Sequence, residues 1–355
     1  MTNRNTVAIH QVVGLDLGDR YSQIVTLEHD SGEIVECSRV RTTQSALRDR
    51  FAGVAPLRIA LEVGTHSPWI SRLLNGLGHE VIVANPRKLR LIYENRNKDD
   101  SVDAEYLARL ARVDPKLLVP VQHAGAQAQA DLAVIRAREM LVRTRTRWIL
   151  HCQGVAKSHG IRIPGGSSST FARRLVEVLP DTLEPALHPL LEILTQLQRQ
   201  IRAYDRQLER LAAERYPETQ ILRQVRGVGS ITALVFVLIL QDPHRFRRSR
   251  DVGAYLGLVP ARRESGQSRP QLRIRKEGNT MLRQLLVQCA HYMLGPFGED
   301  CDLRRFGERL KTRGGAGAHH RACVAMARKL AVLLHHLWRT AEVYEPLFRE
   351  RQRAA

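Results

Sequence analysis

Two apolar runs in the first part of the chain each end in a carboxylate, and that coincidence limits what the chain can fold into. Val12-Val13-Gly14-Leu15-Asp16-Leu17-Gly18 reads as a buried strand with one acid near its end. Leu57 to Val63 (LRIALEV) reads as a second strand, ending in Glu62. A carboxylate inside apolar sequence is costly to bury without a partner. Taken singly, Asp16 or Glu62 is as well explained by a buried ion pair or by a cap on the following turn. Two such acids at two strand ends suggest a shared task.

The surrounding pattern supplies the rest of a sheet. Tyr21 to Glu28 and Ile34 to Arg41 are two more strand runs, separated by the turn residues Asp30-Ser31-Gly32 as in a hairpin. Ser67 to Leu77 has a helical pattern, and Glu80 to Ala84 is a fifth strand closed by Asn85-Pro86. Three adjacent strands, a crossover helix and further strands predict an α/β domain with a mixed sheet of the RNase H type.

A third acidic segment follows. Lys98-Asp99-Asp100-Ser101-Val102-Asp103-Ala104 opens a helix with apolar positions at Val102, Tyr106, Leu107 and Leu110. Asp100 and Asp103 stand three residues apart and project from one face of its first turn. Acids near a helix N-terminus also favour the helix dipole and serve as caps. That accounts for acids there in general, and not for the strand-end pair that accompanies them. A set of three or four carboxylates suits hard cations such as Mg2+ (or Mn2+). Two such ions could activate an attacking oxygen and stabilise a leaving one.

Charge narrows the substrate. The 355 residues carry 55 Lys+Arg against 36 Asp+Glu, a net charge of +19 and a pI near 10.5. Arginine, the residue suited to forked phosphate contacts, dominates the excess, so the expected partner is a nucleic acid. The amphipathic helix Leu132 to Leu150 has five arginines between Arg136 and Arg147 against one glutamate. Arg136, Arg143 and Arg147 are its candidate phosphate contacts, the alternative being a solvated basic face. The 43% apolar content is enough for two or three domains. The most apolar stretch, Ile231 to Leu240, is too short to cross a bilayer. No signal-peptide pattern opens the chain, so a cytoplasmic location is expected. Cys37, Cys152, Cys289, Cys301 and Cys323 are scattered without CxxC spacing, which predicts reduced thiols and neither a disulfide framework nor a zinc site. His319 and His320, like His335 and His336, are adjacent and cannot share a helical face. They read as surface or DNA-facing residues and not as metal ligands.

Beyond a loop-forming stretch at Pro164-Gly165-Gly166-Ser167-Ser168-Ser169, apolar residues recur at 194, 197, 201, 204, 208 and 211 with heptad spacing. This fits a coiled coil between copies of the chain, or a helix pair within one. Gly227-Val228-Gly229 before the helix Ile231 to Leu240 resembles half of a helix-hairpin-helix, although a short glycine turn between core helices is as common. From 243 to 283 there are eleven Arg/Lys against three Asp/Glu. Within that stretch the loop Arg262-Arg263-Glu264-Ser265-Gly266-Gln267-Ser268-Arg269 precedes Arg273-Ile274-Arg275-Lys276-Glu277-Gly278-Asn279 and the helix Met281 to Tyr292. One reading is an electrostatic clamp made of Arg262, Arg263, Arg269, Arg273, Arg275 and Lys276. The other makes Ser265 a nucleophile toward DNA phosphorus, with arginines neutralising the pentavalent transition state. No adjacent base is evident, and Glu277 interrupts the basic run.

Together these motifs resemble the DEDD transposases of bacterial insertion sequences (the IS one-ten family), to which the Piv-type DNA invertases are related. The matching phrases are GLDLG around Asp16, ALEVGTHSPW around Glu62 and NKDDSVDAEYLARLA, where Asp-x-x-Asp-Ala spacing selects Asp100 and Asp103 over Asp99. A serine before glycine, between Gly257-Leu258-Val259-Pro260 and Arg273-Ile274-Arg275-Lys276-Glu277-Gly278-Asn279, matches the family's second domain and selects Ser265, with Ser268 as the fallback. The resemblance spans Val12 to about Trp338. It implies a RuvC-like catalytic domain over 1–165, a linker and coiled coil over 166–220, a mainly helical transposase domain over 221–340 and a basic tail over 341–355. It also implies metal held by Asp16, Glu62, Asp100 and Asp103, DNA attached covalently to Ser265, and the acidic site contributed by a partner subunit. Donor and target DNA, a noncoding guide RNA made by the element, a homo-oligomer from dimer to tetramer and a nucleoid association come with it. The rival reading is a RuvC-like junction or RNA endonuclease that uses metal-activated water and has no need of Ser265. A catalytically dead DNA-binding regulator would lack one of the acids, and all four are present.

Overall fold

The computed structural model describes residues 9–86, 100–263 and 272–348, together with 265, 268 and 270. The chain divides into two compact units, Met1–Ala126 and Gln127–Ala355.

The first unit is a five-stranded mixed sheet with helices on both faces. In chain order it contains β1 (Gln11–Asp16), β2 (Tyr21–Glu28), β3 (Ile34–Arg41), α1 (Gln44–Phe51), β4 (Arg58–Glu62), α2 (Ser67–Gly76), β5 (Glu80–Ala84) and α3 (Asp100–Val113). The strands lie in the order β3-β2-β1-β4-β5. β1, β2 and β3 pair antiparallel through short turns, whereas β1–β4 and β4–β5 are parallel and need crossovers. The arrangement is consistent with an RNase H-like domain. β1 sits in the middle and is buried on both faces, which is why it reads as an unbroken apolar run. Val13 and Leu15 pack with Leu47 and Phe51 of α1 and Ile70 and Leu74 of α2. Val12, on the opposite face, packs with Leu107 and Ala111 of α3. Helix α1 carries little sequence signal: it is short and mostly polar, capped by Thr43, and buries only Leu47 and Phe51.

The second unit is mainly helical among the described residues, with one short hairpin between helices. The helices are α4 (Ala126–Ser158), α5 (Phe171–Val176), α6 (Glu184–Arg215), α7 (Thr219–Arg223), α8 (Ser230–Leu240), α9 (Arg250–Tyr255), α10 (Thr280–Leu294), α11 (Asp302–Lys311) and α12 (Ala318–Thr340). The heptad segment is α6, and its apolar face finds a partner inside the chain. Cys152 and Ala156 of α4 share a core with Leu187, Leu191 and Leu194. Arg145 donates to Gln198 at 2.6 Å, Arg138 to Asp205 at 2.6 Å and Arg215 to Asp131 at 2.9 Å. As the α4 number falls the α6 number rises, so the two helices run antiparallel. Of the two expectations for this heptad spacing, a helix pair within the chain is present, and part of the α6 apolar face packs in it.

The remaining helices enclose α8, whose residues from Thr232 to Leu238 are all buried. Around it pack Leu208 and Ala212 of α6, Leu282, Leu286 and Ala290 of α10, and the inner face of α12. Two histidine expectations are overturned. His335 is fully buried: its Nε2–H donates to the Pro243 carbonyl at 2.8 Å, and its Nδ1 accepts from the Ser249 hydroxyl at 2.9 Å. Burial, foremost, and nearby positive charge hold its pKa below the usual histidine value. His319 turns toward His291 and Cys323 and not outward. Adjacent residues on a helix diverge in direction, so one of each pair faces the core while its neighbour faces water. No described helix is long and apolar enough to cross a membrane.

Candidate functional site

Asp16 is the last residue of β1 and Glu62 the last of β4. These strands are parallel neighbours whose last registered pair is Leu15 with Leu61, so the two acids end adjacent strands at the same level. Side chains alternate along a strand. Asp16 therefore shares the face of Val12 and Gly14, and Glu62 that of Ala60, which is the face covered by α3. Both acids are half-buried.

The path of α3 brings the third acid to the same end of the sheet. Leu107 and Ala111 lie over Val12, and Ala104 over Gly14, so the helix runs antiparallel to β1 with its first turn at the Asp16 end. Contact at Gly14 is close enough to exclude any side chain: a Cβ there would lie 1.7 Å from the Ala104 carbonyl oxygen. Asp103, next to Ala104, is half-buried. Asp100 opens the helix, and its side chain lies outside the described residues, as does Asp99. Asp16, Glu62 and Asp103 offer carboxylate oxygens, a hard set that suits Mg2+ or Mn2+.

Two histidines near this end of the sheet carry no signal in the sequence. His123 Nε2 lies 2.8 Å from the hydroxyl of buried Ser67, which also accepts from the Gly64 amide at 3.0 Å. Burial, with the Arg72 charge second, keeps His123 below the usual histidine pKa. His66 stands 3.4 Å from Asp19 and accepts from the Trp69 indole at 3.1 Å. These contacts tie down the loop that leaves Glu62.

In the second unit the two phrases that flank Ser265 are the two sides of a hairpin base. Pro260 pairs with Ile274, the Ala261 amide donates to the Arg273 carbonyl at 2.9 Å, and the Arg275 amide donates to the Val259 carbonyl at 3.0 Å. Gly257 has φ +66°, and a Cβ on it would lie 2.4 Å from the Glu277 amide nitrogen, so glycine is required where the sides approach. Arg283, which sequence patterning passes over, is buried and donates to the carbonyls of Leu256 at 3.0 Å and Glu277 at 2.7 Å. Further out, Ser265 and Ser268 pair through their backbones, the Ser268 amide donating to Ser265 at 3.0 Å, and both are exposed. Arg262, Arg263, Arg273, Arg275 and Lys276 are exposed on this hairpin, and Arg269 lies outside the described residues. A cavity runs between the hairpin base, at Pro260, Ile274 and Lys276, and the α12 residues Arg321, Arg328 and Lys329.

The α4 arginines separate into two sets. Arg138 and Arg145 face α6, whereas Arg136, Arg143 and Arg147 are exposed at spacings of seven and four, on one stripe of the helix. Arg143 pairs with Glu139 at 2.5 Å.

Comparison with known proteins agrees across both units. A DEDD model described as "Transposase" matches residues 13–160, and one described as "Transposase IS116/IS110/IS902 family" matches residues 219–297. The chain is 29% identical over 350 residues to the transposase for insertion sequence element IS1111A of Coxiella burnetii, covering 94% of this chain and 91% of that protein. It is 29% identical over 342 residues to a probable family 20 transposase of Pseudomonas aeruginosa, covering 94% and 98%. With the transposase for insertion sequence element IS1328 of Yersinia enterocolitica it shares 31% identity over 285 residues, covering 79% and 82%.

Proposed function

The chain belongs to the IS116/IS110/IS902 family of DEDD transposases and is a DNA transposase; from that premise we propose that it exchanges DNA strands with a four-acid metal site and a serine nucleophile. The observation that carries the first half is the convergence of Asp16 and Glu62, at the ends of parallel neighbours, with the first turn of α3. Asp16, Glu62, Asp100 and Asp103 are the residues that would hold Mg2+ or Mn2+. When bound, such an ion neutralises charge on phosphate oxygens and favours the leaving of a strand-end oxygen. The loop anchored by Ser67 and His123 keeps Glu62 in place.

For the second half, Ser265 Oγ gives up its proton and forms a bond to DNA phosphorus while the bond to one strand oxygen breaks and that oxygen takes a proton. A hydroxyl of the joining strand then attacks the phosphoserine and releases Ser265 unchanged. Exposed Arg262, Arg263, Arg273, Arg275 and Lys276, with Arg269, balance the charge of the pentavalent phosphorus. The exposed stripe Arg136, Arg143, Arg147 grips the backbone. A homo-oligomer, from dimer to tetramer, and a noncoding guide RNA complete the proposal; the support for both is the family and the basic surface. The four-segment division at 165, 220 and 340 and a cytoplasmic, nucleoid-associated location remain part of the same reading.

The test is a suicide-substrate trap with Ser265→Ala, Ser268→Ala and Asp16→Asn. Ser265→Ala should lose covalent protein–DNA product and strand exchange entirely, while Ser268→Ala retains both. Asp16→Asn should lose metal-dependent cleavage. If Ser265→Ala recombines normally, the serine mechanism is wrong and the RuvC-like endonuclease reading returns.

A further inference from the structure

In the second unit, remote in chemistry from any carboxylate set, three ligand-bearing side chains close a small triangle. His291 lies in the last turn of α10, and His319 and Cys323 lie one turn apart in the first two turns of α12. His291 Nδ1 is 3.2 Å from His319 Nε2, Cys323 Sγ is 3.3 Å from His291 Nδ1, and Cys323 Sγ is 3.6 Å from His319 Nε2. Hydrogen bonding does not account for all three contacts. A ring nitrogen has a single in-plane N–H or lone pair, so each histidine can engage one neighbour well. At most two of the three edges are then made.

We propose that His291, His319 and Cys323 bind one Zn2+ ion that clips the end of α10 to the start of α12. A tetrahedral zinc with Zn–N of about 2.05 Å and Zn–S of about 2.3 Å sets ligand edges of about 3.3 Å for N···N and about 3.6 Å for N···S. The observed edges match that tetrahedron within a few tenths of an ångström. His319 and Cys323, at i and i+4, face the same way from one helix, as paired ligands require. Cys323 is fully buried while the two histidines are half-buried, so the ion is held from inside and reached from the surface. The fourth position falls to water or to exposed His320, whose ring centroid lies 5.8 Å from that of His291. Two imidazoles and a thiolate form a borderline-soft set that selects zinc over the hard cations suited to the acids. The site is structural: α10 begins directly after the Ser265 hairpin at the Asn279 cap, and the clip holds its far end to α12.

The full-length protein, stripped with chelator and dialysed against micromolar zinc, should retain about one zinc per chain. Cobalt in its place should give intense tetrahedral visible bands and a thiolate-to-cobalt charge-transfer band. Cys323→Ser should lose the charge-transfer band and His319→Ala the bound zinc, while Asp16→Asn keeps both. Zinc should also raise Tm and protect Cys323 from a thiol reagent in the wild-type chain, a readout that survives misfolding of the variants. Retention of no zinc by wild type, cobalt bound without thiolate character, or Cys323 labelled equally fast with and without zinc would each overturn the proposal.

Discussion

At Gly14, the absence of a side chain sets the position of α3. With the Ala104 carbonyl on its face, any Cβ forces α3 away from the sheet and carries Asp103 away from Asp16 and Glu62. Gly14→Val should lower Tm and cut metal-dependent DNA cleavage by about a hundredfold, a loss expected for a displacement near 1 Å. Thermal unfolding and a cleavage assay at saturating Mg2+ check it. Asp131 is a second single-residue lever, within the second unit. It is buried and accepts from Arg215 at 2.9 Å, from the Tyr216 hydroxyl at 2.7 Å and from Gln127 at 3.1 Å. Burial alone would push its carboxyl up, but the bonds from Tyr216, Arg215 and Gln127, with the Arg215 charge, hold it below the usual carboxylate range. A carboxyl depressed in this way adds stability that is complete above its unfolded pKa, about 3.9, and is lost as pH falls through the folded value. Asp131→Asn should therefore cost several degrees of Tm at neutral pH. The gap to wild type should close below about pH 4, as a Tm series across pH will report.

Between elements, the antiparallel pair α4–α6 explains where a heptad face goes when the chain is alone. Leu187, Leu191 and Leu194 meet Cys152 and Ala156, while Arg138 and Arg145 span to the polar edge of α6. Leu191→Ala should lose about 2–5 kcal/mol of unfolding free energy by opening a cavity. Denaturant titration measures that loss. Sedimentation of the variant should show an unchanged oligomeric state, because Leu191 packs against α4 within the chain. A lower mass would return the face to a role between subunits. The Ser265 hairpin is another product of element pairing. Its two sides are separated by the whole loop in sequence, and Gly257 and the Arg283 clasp make them one support.

For the molecule as a whole, a charge of +19 makes affinity for DNA steeply dependent on salt. The three arginines exposed along α4 should each release about one counterion on binding. Replacing Arg136, Arg143 and Arg147 with alanine should reduce the slope of log K against log salt by roughly 3, without changing sequence preference. Fluorescence anisotropy over a range of KCl checks it; an unchanged slope removes this stripe from the interface.

Local pattern alone determined much of this. Strand-like runs bounded by turn residues located β2, β3 and β5 to the residue, because the turn residues that end a strand are local in sequence. The acids Asp16 and Glu62 were legible because a carboxylate in an apolar strand is conspicuous. The serine phrases were legible because they match a family already known by those words. Only the tertiary structure decided the rest. α1 buries two side chains and has almost no period to read. The sense of α3, which carries Asp103 to the strand ends, depends on one glycine contact across the sheet. Part of the heptad face packs on α4, and His335 went inward while His336 did not, because a helix pattern shows an apolar side without saying what covers it. His319 and Cys323 are four residues apart, but His291 is 28 residues from His319, and only a fold that returns α12 onto α10 brings it to them. The ends of β1 and β4 and the first turn of α3 are likewise brought to one end of the sheet by contacts between distant segments, which no local pattern encodes.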